Sequence, residues 1–260
     1  LALTIEGCLP EDFESATLIG RAWVPGEYPG PSPVIIRDGQ LLDLSESVAT
    51  VSELLNKKSA LDFVQGTKGK AIGDVGAILA NSDWNIKDEN HPYLLAPVDL
   101  QAIKACGVTF AQSMLERVIE ERAKGDSLAA EGIRDEIRDV IGLDLGEIVP
   151  GSTEAERLKS VLIGKGMWSQ YLEVGIGPDA EVFTKAQPMS AVGIGSQIGI
   201  LEKSEWNNPE PEITLVINSM GKILGATLGN DVNLRDIEGR SALLLGKAKD
   251  NNASAAIGPF

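Results

Sequence analysis

The sequence predicts an α+β protein in which a small amino-terminal α/β module is followed by a β-rich half. Three observations carry that expectation. Short apolar runs bounded by Gly and Pro fill the first hundred residues, an apolar spacing of three to four governs residues 110–163, and glycine with β-branched residues dominates after Gly164. At 260 residues and 43% hydrophobic content, the chain can bury one substantial core and a small second domain.

From Arg21 to Leu55 the chain is rich in Pro25, Gly26, Pro29, Gly30, Pro31 and Pro33, then passes through Val34-Ile35-Ile36 to an Asp38-Gly39 turn. This predicts a short hairpin followed by a helix near Thr50–Leu55. The loop Glu89-Asn90-His91-Pro92 closes an amino-terminal domain of residues 1–95, and residues 96–260 are expected to form the second, larger domain. That domain opens with the apolar run Tyr93–Val98 and with Ala102–Gly107, read as a buried strand whose Cys106 is an inert buried thiol.

Met114, Leu115, Val118 and Ile119, then Ile133, Ile137, Val140 and Ile141, recur at helical spacing with charges between them, and Gly125-Asp126-Ser127 separates two helices. A third helix is expected near Ser152–Ile163, capped by Ser152 or Thr153. The run Gly193-Ile194-Gly195-Ser196-Gln197-Ile198-Gly199 has the wrong spacing for a dinucleotide loop and no helical pattern after it, so it predicts a turn.

Composition narrows the chemistry. With 23 Lys and Arg against 38 Asp and Glu, the formal charge is -15, which disfavours nucleic acid. Two cysteines and one histidine, His91, leave no thiol or imidazole metal cluster. A catalytic ion would sit among carboxylates, as hard cations such as Mg2+ do. No apolar run is long enough to span a bilayer and no signal-peptide pattern opens the chain, so no membrane partner and a cytoplasmic location are expected.

The stretch Pro209–Asp231 reads as strand, tight turn, strand. Residues two apart on a strand share a face, so Glu210 and Glu212 project together. If the turn is the two-residue Met220-Gly221, Asp231 lies opposite Glu210 on that face, and three acids converge. A turn one residue longer would move Asp231 out of register. Neighbouring carboxylates repel unless a cation joins them, which makes Glu210, Glu212 and Asp231 candidate metal ligands.

At these residues the chain resembles the fumarylacetoacetate hydrolase superfamily. The matching elements are Glu210-Pro211-Glu212, Asn230-Asp231-Val232, Lys249, the small-residue run Ala255-Ala256-Ile257-Gly258-Pro259 and the earlier Phe183–Pro188 segment. The resemblance implies a mixed β-roll continuing past Phe260, with Mg2+ or Mn2+ on the three acids, and a homodimer. Hydrolases of this family carry Gly-x-Asn-Tyr-x-Asp-His-x-x-Glu. Here the run is Gly107 to Glu116, with Ser113 at the histidine position, and a serine cannot act as the neutral-pH base that histidine supplies.

Thr109–Asp126, Ile237-Glu238-Gly239 and Lys247-Ala248-Lys249 are more similar to the family's sugar-acid dehydratases, which act on 2-keto-3-deoxy acids such as 2-keto-3-deoxyarabinonate. That resemblance implies a small anionic keto-acid substrate and a metal-stabilised enolate. It makes Glu116 the base, Lys249 the group that stabilises enolate or leaving-group charge, and Phe110, Ser113 and Lys185 substrate contacts. Two alternatives stand beside it: a hydrolase of acylpyruvate-like or diketo acids with Glu116 positioning water, and a non-catalytic binding protein.

Overall fold

The computed structural model describes residues 2–107, 115, 118, 119, 123, 127–141 and 147–260. The chain folds into two compact units, Leu1–Lys104 with Thr184–Phe260, and Ala105–Phe183. The boundary expected near residue 95 falls inside the first unit.

The first unit begins with strands β1 (Ile19–Val24), β2 (Gly30–Arg37), β3 (Gln40–Asp43), β4 (Lys70–Asp74) and β5 (Tyr93–Leu95). They form one sheet in the order β4-β3-β2-β1-β5, antiparallel throughout. The Asp38-Gly39 turn joins β2 to β3 with both residues at positive φ, as a two-residue hairpin of matching twist requires. Short helices accompany the sheet: α1 (Ile5–Cys8), α2 (Val51–Leu55), α3 (Ala60–Gly66) and α4 (Val75–Asn81). Ile35 and Leu42 pack with Val51 and Leu54, whereas Val34 and Leu41 pack with Ile78 and Leu79. Successive strand residues therefore meet apolar layers on opposite faces, which explains an unbroken Val34-Ile35-Ile36 run.

Helix α2 starts where expected, because Thr50 Oγ1 accepts from Glu53 N at 2.9 Å. A second cap comes from far along the chain. Asp99, 4% exposed, accepts from Val51 N at 2.6 Å, Ser52 N at 3.0 Å and Leu100 N at 2.7 Å, and also holds the Ser52 hydroxyl. An anion at the positive end of a helix is stabilised by its free N–H groups.

In the second unit lie α5 (Ser127–Ile141), α6 (Thr153–Gly164) and α7 (Gln170–Ile176). Ser152 caps α6 through Ala155 N at 3.1 Å, and Ile137, Leu158, Leu162 and Leu172 pack into its core with Leu115 and Ile119. Strand β6 (Ile103–Cys106) corrects one expectation. Its pattern alternates and Cys106 is exposed rather than buried, since among the described strands β6 pairs with β7 (Val182–Ala186) alone.

The remainder of the first unit carries β8 (Asn207–Asn208), β9 (Pro211–Ile217), β10 (Ile223–Asp231), β11 (Asn233–Leu234), α8 (Arg235–Glu238), a 3-10 turn at Ala242–Leu244, α9 (Leu245–Lys249) and β12 (Ala255–Gly258). Strands β12-β10-β9 make a three-stranded sheet and β11-β8 a two-stranded one, while the Gly193–Gly199 run is a loop, as expected. Among the described residues no helix is long and apolar enough to cross a membrane.

Candidate metal centre

The β9–β10 hairpin reaches the expected register by an unexpected turn. Its loop holds three residues, Ser219-Met220-Gly221, closed by Asn218 N to Lys222 O at 3.0 Å. The two-residue Met220-Gly221 turn is thus corrected. Asn218 Oδ1 accepts from the Met220 and Lys222 amides at 3.0 Å each, Gly221 takes a φ of 74°, and Asn56 Oδ1 accepts from Ser219 N at 2.9 Å. A bulge between Ile223 and Gly225 absorbs the extra residue. Beyond it Gly229 faces Glu212, Asn230 faces Pro211, and Asp231 N donates to Glu210 O at 2.9 Å. Gly229 must stay small, since a Cβ there would lie 2.3 Å from Thr214 Oγ1.

The acids thereby share a face, and two lysines join them. Lys249, 3% exposed, places Nζ 2.5 Å from Glu210 Oε2 and 2.9 Å from Asp231 Oδ2. Burial alone would lower the Lys249 ammonium, but its bonds to Glu210 and Asp231 outweigh that and raise it. Burial pushes the Glu210 carboxyl up, yet Lys249 holds it below the usual range. Glu212 is raised, first by burial and then by the charges of Asp231 and Glu210, so it shares their field.

Lys185 has a different setting from the substrate-facing one expected. It is 2% exposed, and its Nζ donates to Val232 O at 2.8 Å, to Lys249 O and to Ser254 Oγ at 3.1 Å, with Asp231 Oδ1 at 3.3 Å. A buried ammonium needs acceptors on several sides, and here they are two backbone carbonyls, a serine hydroxyl and the Asp231 carboxylate. Burial lowers its pKa against the pull of Asp231.

Sequence reasoning missed the groups behind Glu210. Asn233 is wholly buried and donates to Glu210 Oε1 at 2.9 Å and Glu238 Oε2 at 2.6 Å, and Asn208 Nδ2 lies 3.4 Å from Glu210 Oε1. The one signal in the sequence is a second asparagine, two residues past Asp231, which period two puts on the Asp231 face. Glu116, Phe110 and Ser113 lie outside the described residues.

Among the described residues no group of three or more His, Cys, Asp or Glu side chains is gathered as a ready metal cage, and Lys249 bridges Glu210 and Asp231. The donor chemistry nevertheless fits a hard divalent cation. All three acids offer oxygen, and Asp231 Oδ1 is buried with no hydrogen bond among the described residues, the Lys185 ammonium lying 3.3 Å away.

No family model matches the chain. It is 44% identical over 79 residues to 2-dehydro-3-deoxy-D-arabinonate dehydratase of Saccharolobus solfataricus, a stretch covering 30% of this chain and 26% of that protein. It is 43% identical over 93 residues to the Haloferax volcanii protein named "Probable 2-keto-3-deoxyxylonate dehydratase", covering 36% of this chain and 32% of that one. The matched stretches thus span no more than a third of either relative. A solved 2-keto-3-deoxy-D-arabinonate dehydratase complexed with magnesium and 2,5-dioxopentanoate aligns with a TM-score of 0.56 at 21% identity, over 93% of this chain and 64% of that chain. Its apo form aligns at 0.58 with the same identity and coverage. At that identity the likeness concerns the fold. The chain is thus similar over about a third of its length to two proteins named as sugar-acid dehydratases, and it shares the fold of a solved 2-keto-3-deoxy-D-arabinonate dehydratase.

Proposed function

We propose that the chain is a Mg2+-dependent dehydratase of a 2-keto-3-deoxy sugar acid such as 2-keto-3-deoxyarabinonate, giving 2-oxoglutarate semialdehyde. The observation that carries the reading is the cluster in which buried Lys249 bonds both Glu210 and Asp231, with Glu212 in its field and the acids set in register by one hairpin. The similarity to two named dehydratases supports it.

Glu210, Glu212 and Asp231 would hold the divalent cation. When bound, such an ion supplies positive charge to a substrate carboxylate and C2 ketone, which acidifies the neighbouring C3 proton. The chain's own groups then do the rest. A base takes the C3 proton and an acid assists departure of the C4 hydroxide, so that one water leaves. The resulting C3–C4 alkene becomes the aldehyde when a proton leaves C5, one returns to C3 and the enol so formed tautomerises. Lys249, an ammonium buried among acids, is suited to stabilising negative charge on the keto oxygen or the leaving group. Glu116 is the proposed base, with Phe110 and Ser113 as substrate contacts, on the strength of sequence. Lys185 acts on the site through its bonds to the Lys249 carbonyl and Asp231.

Incubating the protein with Mg2+ and 2-keto-3-deoxyarabinonate should produce a semialdehyde, detected by trapping the aldehyde. Replacing Glu212 by Gln should abolish both ion binding and turnover. Cleavage of a diketo acid into two acids, with no water loss from the deoxy acid, would sink the dehydratase reading in favour of the hydrolase. A mass measurement in solution tests the homodimer.

A further inference from the structure

The carboxylate of Glu210 is held unequally at its two oxygens. Oε1 accepts from Asn233 Nδ2 at 2.9 Å, with Asn208 Nδ2 at 3.4 Å, whereas Oε2 meets the Lys249 ammonium at 2.5 Å. Asn208 and Asn233 face each other across the β8–β11 pair, so backbone pairing presents both amides from one side. Asn233 cannot swing away cheaply. It is 0% exposed, and its amide also bonds Glu238 Oε2 at 2.6 Å, an oxygen held in turn by Arg235 Nη1 at 3.0 Å. Rotation would strip donors from two carboxylates at once. The amide oxygens of Asn208 and Asn233 are buried without partners, which leaves donation to Glu210 as the role the geometry provides.

We propose that this asparagine pair makes Glu210 a one-oxygen ligand and thereby sets the cation preference of the site towards Mg2+ over Ca2+. The inference rests on the metal reading of Glu210, Glu212 and Asp231. Ca2+ accommodates about six to eight oxygens and readily takes both oxygens of one carboxylate, whereas Mg2+ demands a small octahedron of single oxygens. With Oε1 held by amides that are themselves fixed, Oε2 is the oxygen that turns to an ion, exchanging its bond to the Lys249 ammonium for the cation. Free Oε1, and Glu210 can close on a larger ion with both oxygens. Asn233 and Asn208 are positioning residues that act through Glu210.

The test is calorimetric titration of the whole chain with MgCl2 and with CaCl2, for the wild type, Asn233→Ala and Asn208→Ala. Asn233→Ala should raise the Ca2+-to-Mg2+ affinity ratio about tenfold, and Asn208→Ala, which removes the longer contact, about twofold. A folded Asn233→Ala variant that loses affinity equally for both ions overturns the inference and leaves the metal reading intact. A wild type that binds neither ion overturns the metal reading itself. If Asn233→Ala does not fold, an unchanged ratio in Asn208→Ala overturns the inference.

Discussion

The amino-terminal sheet and the β9–β10 hairpin share the same alternation of side chains and use it in opposite ways. In β2 and β3 the neighbours Val34 and Ile35, and Leu41 and Leu42, are all buried, because apolar layers lie on both faces. In β9 the alternation is clean but inverted. Glu212 and Thr214 lie on the face where Val216 meets the Ile35 cluster, while Ile213, Leu215 and Ile217 are 67%, 50% and 50% exposed. Hydrophobicity marks the core in one region and the outer surface in the other. A polar inner face survives only where each charge finds a partner, and here Lys185 and Lys249 are those partners.

That contrast can be broken first at Lys185. Lys185→Met leaves two backbone carbonyls without their donor and removes a cation from buried Asp231, so it should cost about 3–5 kcal/mol in urea unfolding. A loss smaller than about 1 kcal/mol would mean that the lysine is dispensable to the inner face. In the sheet, Leu41→Ala should cost about 3 kcal/mol by the same measurement, from lost burial and a cavity.

Asp99 supplies the sheet's own example of a buried charge, partnered by amides rather than lysines. Burial pushes its carboxyl up, but the Ser52 hydroxyl and the Leu100, Val51 and Ser52 amides outweigh that and hold it low. A depressed carboxyl stabilises the fold fully above its ordinary value and loses that contribution as pH falls through the folded value. Asp99→Asn should therefore cost about 2 kcal/mol at neutral pH, and the gap to wild type should close as the medium is acidified. A gap independent of pH would remove the charge from the explanation. The smallest effect belongs to the outer face of β9, where Leu215→Ala should change stability by less than about 0.5 kcal/mol in unfolding experiments.

Much of the local structure is legible in the sequence. The Asp38-Gly39 hairpin, the Thr50 and Ser152 caps and the loop at Gly193–Gly199 each rest on the conformational needs of a few adjacent residues. Cys106 is not, because an apolar run looks the same whether or not anything covers it, and among the described strands β6 pairs with β7 alone. The setting of Lys185 is hidden for a related reason: its small and apolar flanks indicate enclosure but not what the ammonium meets inside.

Short-range pattern is enough to put Glu210 and Glu212 on one face of their strand, but it brings Asp231 opposite them only for a given turn and register. It is not enough to define the turn between them. Ser219 is tied to Asn56, over a hundred and sixty residues away, and a bulge at Leu224 returns the hairpin to the register that a shorter turn would have produced. Which group holds each carboxylate oxygen is likewise beyond the reach of local pattern. Asn208, Asn233, Lys249 and Lys185 come to the acids from separate segments, and hydrogen bonds that depend on a few tenths of an ångström are set by how those segments pack.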